Sequence, residues 1–313
     1  MSNPYPGPAF TVIIAVYNGE KTIAGAIQSV LDQTYPAHEI IVIDDGSTDD
    51  TAEQVKQFGG AVQYIYQQNA GVAAARNAGV DKARGDWLAF LDADDYYYPH
   101  RLKWQAELLQ RHSRLDFMTG DFDYVYPDGS LIRRSMDSTE VGRQLLQQAA
   151  GSQGIVMTGE LLGGFVESHF GDTHTLAMPR QTFIELGGYP VGVKVCEDVN
   201  LLIRLCARSQ QVGVVCRPMA AYVIHQDGAT RSDPLRAQQQ TLQALLPLRT
   251  SLATAPDIIR EGLDGCIRHA RLDLAYALIK AGRKFEAVRT MLPLVKERPG
   301  LTSLRDVASI IKG

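Results

Sequence analysis

Four short apolar runs alternate with helical periodicities between Phe10 and His112, and this rhythm limits the fold more than any other feature of the chain. Phe10 to Val16 (FTVIIAV) is rich in β-branched residues and apolar throughout, the pattern of a strand covered on both faces. Ile23, Ile27, Val30 and Leu31 then recur at i, i+4, i+7 and i+8, one face of a helix that the Tyr35-Pro36 pair should end. EIIVID, from Glu39 to Asp44, is a second buried strand. DTAEQVKQF reads as helix, VQYIYQ as strand, GVAAARNAGVDKA as helix, DWLAFL as a fourth strand, and PHRLKWQAELLQRH as a helix with Pro99 in its first turn. Buried strands joined by amphipathic helices form βαβ units, and a series of them makes a parallel, Rossmann-like sheet. Ligands of such sheets sit beyond the carboxyl ends of the strands, so chemistry is to be sought there.

From Asp116 the texture changes. FMTGDFDYVY, a PDGS turn and LIRR suggest an antiparallel hairpin, and the glycines between Gly151 and Gly192 suggest long mobile loops around short elements. Beyond Pro234 the pattern is helical, with Ile258, Ile259, Leu263, Ile267, Leu274 and Leu278 on one stripe. Phe285, Val288, Met291, Leu292 and Val295 lie on another, after a break at AGRK. AYALIKAGRKFEAVRTMLPLVKERP is similar to one tetratricopeptide-type hairpin, but arrays need about three repeats, so capping helices are expected.

Charge divides the chain at the same place. Pro234 to Gly313 holds 13 basic and 7 acidic residues, whereas the preceding part holds 18 and 28, so the net charge of -4 averages a basic tail and an acidic body. Cys196, Cys206, Cys216 and Cys266 form no CxxC pair, which points to a reducing cytosol. No apolar run approaches the roughly 18 residues of a membrane span, and MSNPYPGPA has neither the basic nor the apolar region of a signal peptide.

The strand ends carry the chemistry. Asp44-Asp45-Gly46-Ser47-Thr48-Asp49 closes the second strand; Ser47 to Asp50 fits a capping box with Asp in place of Glu, while Asp45 could equally accept from a nucleobase N–H or a ribose hydroxyl. Leu91-Asp92-Ala93-Asp94-Asp95 closes the fourth. Alternation along extended backbone puts Asp92 and Asp94 on one side, where two carboxylates repel unless a cation lies beside them. Such hard ligands suit Mg²⁺ or Mn²⁺ shared with substrate phosphates; an acidic cap for the next helix is the structural alternative. Arg76, on the helix between these two ends, is either a solvated surface charge or a clamp on phosphate or base.

VIIAVYNGEKTIAGAIQSVLDQTYPAHEIIVIDDGSTDDT followed by QNAGVAAARNAGVDKARGDWLAFLDADDYYYPHRL closely resembles the family 2 glycosyltransferases of the GT-A fold. The resemblance is dense from Phe10 to about Arg101 and thinner to about Ser232, and it rests on several motifs in order. It implies a Rossmann-like mixed α/β sheet with flanking helices. A loose lead-in over 1–9 would precede a glycosyltransferase domain over 10–233, divided into a nucleotide half (10–115) and an acceptor half (116–233). A helical C-terminal appendage over 234–313 would follow. It further implies that Ala15 and Tyr17 contact the base, with Tyr17 stacked on uracil, and that Glu20 lies near the ribose. Many members have Pro where this chain has Ala15 and Glu where it has Gly19. Asp45 matches the carboxylate that reads the base, Arg76 the arginine supporting base or diphosphate, and Asp92-Ala93-Asp94 the D-x-D motif, with Asp94 the direct metal ligand and Asp92 nearer the ribose or the metal's water shell.

Gly187-Gly188-Tyr189 and Cys196-Glu197-Asp198 resemble the GGY and ED elements of the same family, which makes Asp198 the general base and Glu197 a positioning residue or the base itself. Locally, both acids also sit where a helix dipole favours them. His225 matches a histidine that contacts metal or diphosphate, with Thr230 and Ser232 loosely matching following hydroxyls. His169 and His174 are acceptor-site candidates or plain loop residues.

A nicotinamide dehydrogenase is excluded because no two of the 28 glycines stand in a GxG arrangement. A nucleotidyltransferase would carry a Gly-rich basic loop where this chain has YNGEKT. Walker A is absent, as are the spans and QxxRW element of a processive synthase. The expected activity is therefore single-sugar, inverting, metal-dependent transfer from a nucleotide-sugar, UDP-linked by resemblance, to a hydroxyl of a glycan or lipid-linked acceptor. No nucleic-acid partner is expected. The basic helices would serve homo-oligomer packing or peripheral contact at the inner face of the membrane. The alternative is a non-catalytic nucleotide-sugar binding or scaffolding module.

Overall fold

The structure is a computed structural model and describes residues 7–225 and 233–297. Its strands are β1 (Phe10–Val16), β2 (Glu39–Asp44), β3 (Gln63–Tyr66), β4 (Trp87–Asp92), β5 (Tyr96–Tyr97), β6 (Phe117–Gly120), β7 (Asp123–Val125), β8 (Leu131–Arg134), β9 (Gly154–Met157), β10 (Ala177–Pro179), β11 (Val212–Val215) and β12 (Ala220–Val223). The helices are α1 (Ile23–Leu31), α2 (Thr51–Lys56), α3 (Val72–Lys82), α4 (Arg101–Arg111), α5 (Glu140–Ala149), α6 (Glu160–Glu167), α7 (Arg180–Glu185), α8 (Glu197–Cys206), α9 (Pro234–Leu245), α10 (Leu248–Ser251), α11 (Asp257–Lys280) and α12 (Lys284–Glu297).

The main sheet runs β3-β2-β1-β4-β10-β6-β11-β9, with the first four strands parallel and β10 entering antiparallel between β4 and β6. It is the mixed sheet with flanking helices that the family resemblance implies. The apolar runs are continuous because both faces are covered. Ile13, Ile41, Ile43 and Phe90 belong to one hydrophobic cluster, and Val12, Ile14, Val42 and Leu91 to the other. A smaller sheet, β5-β12-β7-β8, stands beside it.

Four local expectations need correction. The helix after β1 stops at Leu31, short of Tyr35-Pro36, and Leu31 is 40% exposed instead of lying on the buried face. Helix α4 starts at Arg101 with His100 as its cap residue, so Pro99 precedes the helix. FMTGDFDYVY divides between the two sheets: β6 joins the main sheet beside β11, and only β7 pairs with β8. The break falls at Asp121, whose Oδ1 accepts from the backbone N–H of Phe122 and Met136. The glycine-rich stretch is also more regular than its composition suggests, since it holds β9, α6, β10 and α7.

The C-terminal helices pack into the same hydrophobic cluster as one face of the main sheet, through Ile259, Leu263, Ile267 and Leu274. Helix α11 lies close against α6. A Cβ at Gly262 would stand 2.4 Å from the carbonyl oxygen of Gly163, so the glycine is what allows the approach. The α11–α12 hairpin turns at Gly282 (φ +76°), with Arg283 N–H donating to Leu278 O. Among the described residues, no helix is long and apolar enough to cross a membrane.

Candidate active site

Pairing places three strand ends side by side: Val16 opposite Asp44, and Ala15 opposite Asp92. The crevice beyond them is bounded by two loops bonded to each other. Asn18, in the left-handed region at φ 52°, accepts from Thr48 N–H on its side-chain oxygen and donates its own N–H to Ser47 Oγ. Gly19 N–H donates to Thr51 Oγ1 and Glu20 N–H to Asp49. Ser47 and Thr48 are therefore spent on the neighbouring loop and do not form the expected capping box; α2 has no side-chain cap from Asp50.

A cavity of about 410 Å³ opens here, lined by Ala15, Tyr17, Asp45, Val72, Asp92 and Asp94 among others. Tyr17 is 55% exposed, a ring free to receive a planar partner. Asp45 is buried, and its carboxylate accepts from Ala70 N–H (2.9 Å), Gly71 N–H (2.7 Å) and Gln67 Nε2 (2.7 Å). A carboxylate offers about four lone-pair sites, so three internal bonds leave one for a ligand. Asp44 faces away, accepting from Ser47 N–H and Tyr64 Oη. Glu20 is not among the residues lining the cavity, and its carboxylate accepts from Asp50 N–H at 3.3 Å.

Arg76 is not the solvated surface charge of the structural alternative. It is buried, with Nη2 donating to Asp92 (2.6 Å), Nη1 to Glu197 (2.9 Å) and its guanidinium 5.1 Å from the centre of the Tyr189 ring. It joins Asp92 of the D-x-D segment to Glu197 at the start of α8. The GGY turn completes that junction. Gly187 (φ 75°) and Gly188 (φ 68°) bring Tyr189 against α3, where Asn77 exchanges two 2.9 Å bonds with the Tyr189 backbone. Arg204 on α8 donates to Leu186 O and Gly188 O.

Cys196 adopts φ 71°, unusual for a side-chain-bearing residue, and turns the chain into α8 with Glu197 and Asp198 in its first turn. Burial and then Asp198 push Glu197 up to about 7 in spite of Arg76, whose single charge is shared with Asp92. Asp198 is raised further, by burial first and then by the carboxyl group of Asp172, which is within hydrogen-bonding contact. Asp172 escaped the sequence reading. The one signal was its place between His169 and His174, the two acceptor-site candidates. Of those, His174 is a buried residue with Nδ1 3.6 Å from Asp95, and burial pushes it down to about 4, so it stays neutral. Burial lowers His169 too, with Asp198 acting in the opposite direction.

Asp94 and His225 meet, the His225 Nε2 lying 3.9 Å from the Asp94 carboxylate. Burial and the like charge of Asp92 raise Asp94 above the usual carboxylate range. A carboxylate and an imidazole in this position suit a divalent cation that completes its shell with phosphate oxygens and water. No set of three or more acidic, His or Cys side chains that could hold a metal by themselves occurs among the described residues. Thr230 and Ser232 lie outside the described residues.

Architecture and crevice define a GT-A glycosyltransferase fold. It is shared with S. aureus TarS 1-349 solved in complex with UDP-GlcNAc (TM-score 0.61, 19% identity, 96% of this chain and 79% of that one). It is shared equally with the Pyrobaculum calidifontis mannosyltransferase PcManGT in complex with GDP-Man and Mn²⁺ (TM-score 0.63, 18% identity, 98% and 80%). The sequence profile of glycosyl transferase family 2 matches residues 11–169, and the chain belongs to that family. Curated relatives include an uncharacterized glycosyltransferase of Rickettsia prowazekii, 38% identical over 109 residues (35% of this chain, 34% of the relative). Glycosyltransferase GlyA of Streptococcus pneumoniae is 43% identical over 233 residues, covering 71% of this chain and 31% of the relative. The chain thus spans about a third of the length of these relatives.

Proposed function

We propose that this protein transfers a single sugar from a nucleotide-sugar, UDP-linked, to a hydroxyl of a glycan or glycolipid, with inversion at the transferred carbon. The observation that carries this reading is the Arg76 bridge, which ties Asp92, in the lining of the strand-end cavity, to Glu197, the residue before Asp198 at the start of α8. Displacement with inversion needs a base opposite the leaving diphosphate, and the carboxylates of α8 are assigned that role here.

In this mechanism Tyr17 stacks on the base, Asp45 accepts from its N–H, and Asp92 takes a ribose hydroxyl. Asp198 receives the proton of the acceptor hydroxyl as that oxygen attacks the sugar carbon, and Asp172 holds its carboxyl group in place. An α-linked donor then gives a β-linked product. Asp94 and His225 would hold Mn²⁺ or Mg²⁺, which when bound stabilises negative charge on the diphosphate. Arg76 acts as a positioning residue. The body over 10–233 is read as the transferase domain and the helices after it as its support. The unpaired thiols of all four cysteines accord with work in a reducing compartment.

Nucleotide release from a panel of UDP-, GDP- and dTDP-sugars tests the reading, with Asp198→Asn as the variant. Release by the wild-type protein, its loss in the variant and unchanged UDP binding are expected. A protein that binds UDP with Mn²⁺ yet releases none from any donor is a binding module instead.

A further inference from the structure

The smaller sheet carries a row of three side chains that donor binding leaves unused. Tyr222 on β12 stands opposite Tyr124 on β7, and Tyr124 stands opposite Arg133 on β8. The two rings meet edge to face at 5.5 Å, and the Arg133 guanidinium lies over the Tyr124 ring at 4.2 Å. At its inner end the row reaches His174, a buried residue close enough to Asp92 and Asp198 to feel their charges. The Tyr222 ring is 5.8 Å from that of His174, two positions from the carboxyl group that contacts Asp198. None of the three lines the donor cavity.

Consecutive arginines on β8 have opposite situations. Arg134 faces Asp123 at 3.7 Å on the far side of the sheet. Arg133 is exposed, donates only to Ser138 Oγ at 3.3 Å, and has no ion pair among the described residues. Stacking on a ring fixes the plane of a guanidinium and leaves its N–H fork pointing outward, the arrangement that grips a carboxylate or phosphate with two parallel bonds. The half-buried Tyr222 offers an apolar edge beside a hydroxyl, suited to the C–H face of a sugar ring. An aromatic platform that adjoins His174, and an exposed cation with no ion pair among the described residues at its outer end, match one kind of ligand, a saccharide bearing negative charge.

We infer that Tyr222, Tyr124 and Arg133 form the acceptor subsite and that the acceptor is an anionic saccharide, its acidic group held by Arg133 while a sugar ring lies against Tyr222. The transferase reading is needed here only to call the bound saccharide an acceptor. Calorimetric titration of the full chain with tetragalacturonate, a glycerol-phosphate tetramer and neutral cellotetraose decides the matter. At least one charged tetramer should bind about tenfold more tightly than cellotetraose, the ordinary worth of a charge-assisted pair, and which one does so distinguishes carboxylate from phosphate. Arg133→Gln should erase that preference, and Arg134→Gln should keep it. Equal or absent binding of the charged tetramers by the wild-type protein, or a preference that survives Arg133→Gln, overturns the subsite. Donor hydrolysis is measured separately: its absence with the preference intact would count against the transferase and leave the anionic-saccharide site standing.

Discussion

Arg76 and Glu197, 121 positions apart in the sequence, meet at 2.9 Å in the interior of the protein. The same guanidinium holds Asp92, so one buried cation fixes the donor-side carboxylate relative to the carboxylates of α8. Removing one partner of a buried ion pair leaves the other uncompensated. Arg76→Gln is expected to lower unfolding free energy by about 3 kcal/mol in denaturant titrations. Adding Glu197→Gln should recover part of the loss, because the stranded carboxylate is then gone.

Asp45 is bound from three sides by the segment that leads into α3. An amide in its place keeps one acceptor oxygen and turns an NH₂ group toward the N–H of Ala70 or Gly71. Asp45→Asn should destabilise the protein by about 1–2 kcal/mol, the worth of an unmade buried bond, and weaken UDP binding in parallel. Full UDP affinity alongside the stability loss would reduce Asp45 to a loop anchor.

The acidic pairs at α8 set two opposite pH responses. Asp198 and Glu197 hold protons more tightly folded than unfolded, so the native state binds the extra protons between the unfolded carboxylate range and the raised folded values. Their contribution to stability is complete at low pH and is lost as pH rises, for Glu197 through about 7. The Glu197→Gln protein should therefore gain stability relative to wild type as pH rises from about 5 to about 8. Transfer requires the ionised base and should rise with pH, along a limb well above the ordinary carboxylate range. Asp172→Asn should move that limb downward, since one like charge is removed; the apparent value belongs to the pair.

Asp94 and His225 predict a chelator response. Nucleotide release should stop in excess EDTA and return with Mn²⁺ or Mg²⁺. Asp94→Ala and His225→Ala should each lower metal-dependent UDP affinity by at least about tenfold while leaving weak metal-independent binding in place. Indifference of release to EDTA would remove the metal role from both residues.

Gly262 reports on the C-terminal helices. With a Cβ 2.4 Å from Gly163 O, Gly262→Ala must push α11 away from α6. A loss of about 1–3 kcal/mol is expected, within a single unfolding transition if the helices and the sheet share one core. Two separate transitions would mark α9 to α12 as an independent unit.

The strands and helices from Phe10 to Arg111 were readable because each apolar run alternates with turn and helix signals in a period that permits one architecture. Boundaries set by distant contacts were not. The break at Asp121 depends on Met136 N–H, fifteen positions away, and Tyr35 is fixed by its hydroxyl on Pro8 O. In the site, the acidic strand ends were legible as motifs, but the contacts of Glu20 with Asp50 and of Arg76 with two carboxylates were not. A sequence shows that a charge is present and says nothing of whether another part of the chain has already neutralised it.

By itself, then, the sequence determined the βαβ series, the family and the acidic residues at the carboxyl ends of β2 and β4, all of which follow from local periodicity and short motifs. Only the tertiary structure decided that Arg76 is a buried tie and not a surface clamp. It alone placed Asp172 against Asp198, and it alone left Arg133 with no counter-ion among the described residues beside Arg134, which has one. These are pairwise relations between segments far apart in the chain, fixed by how sheets and helices pack, and no local pattern encodes them.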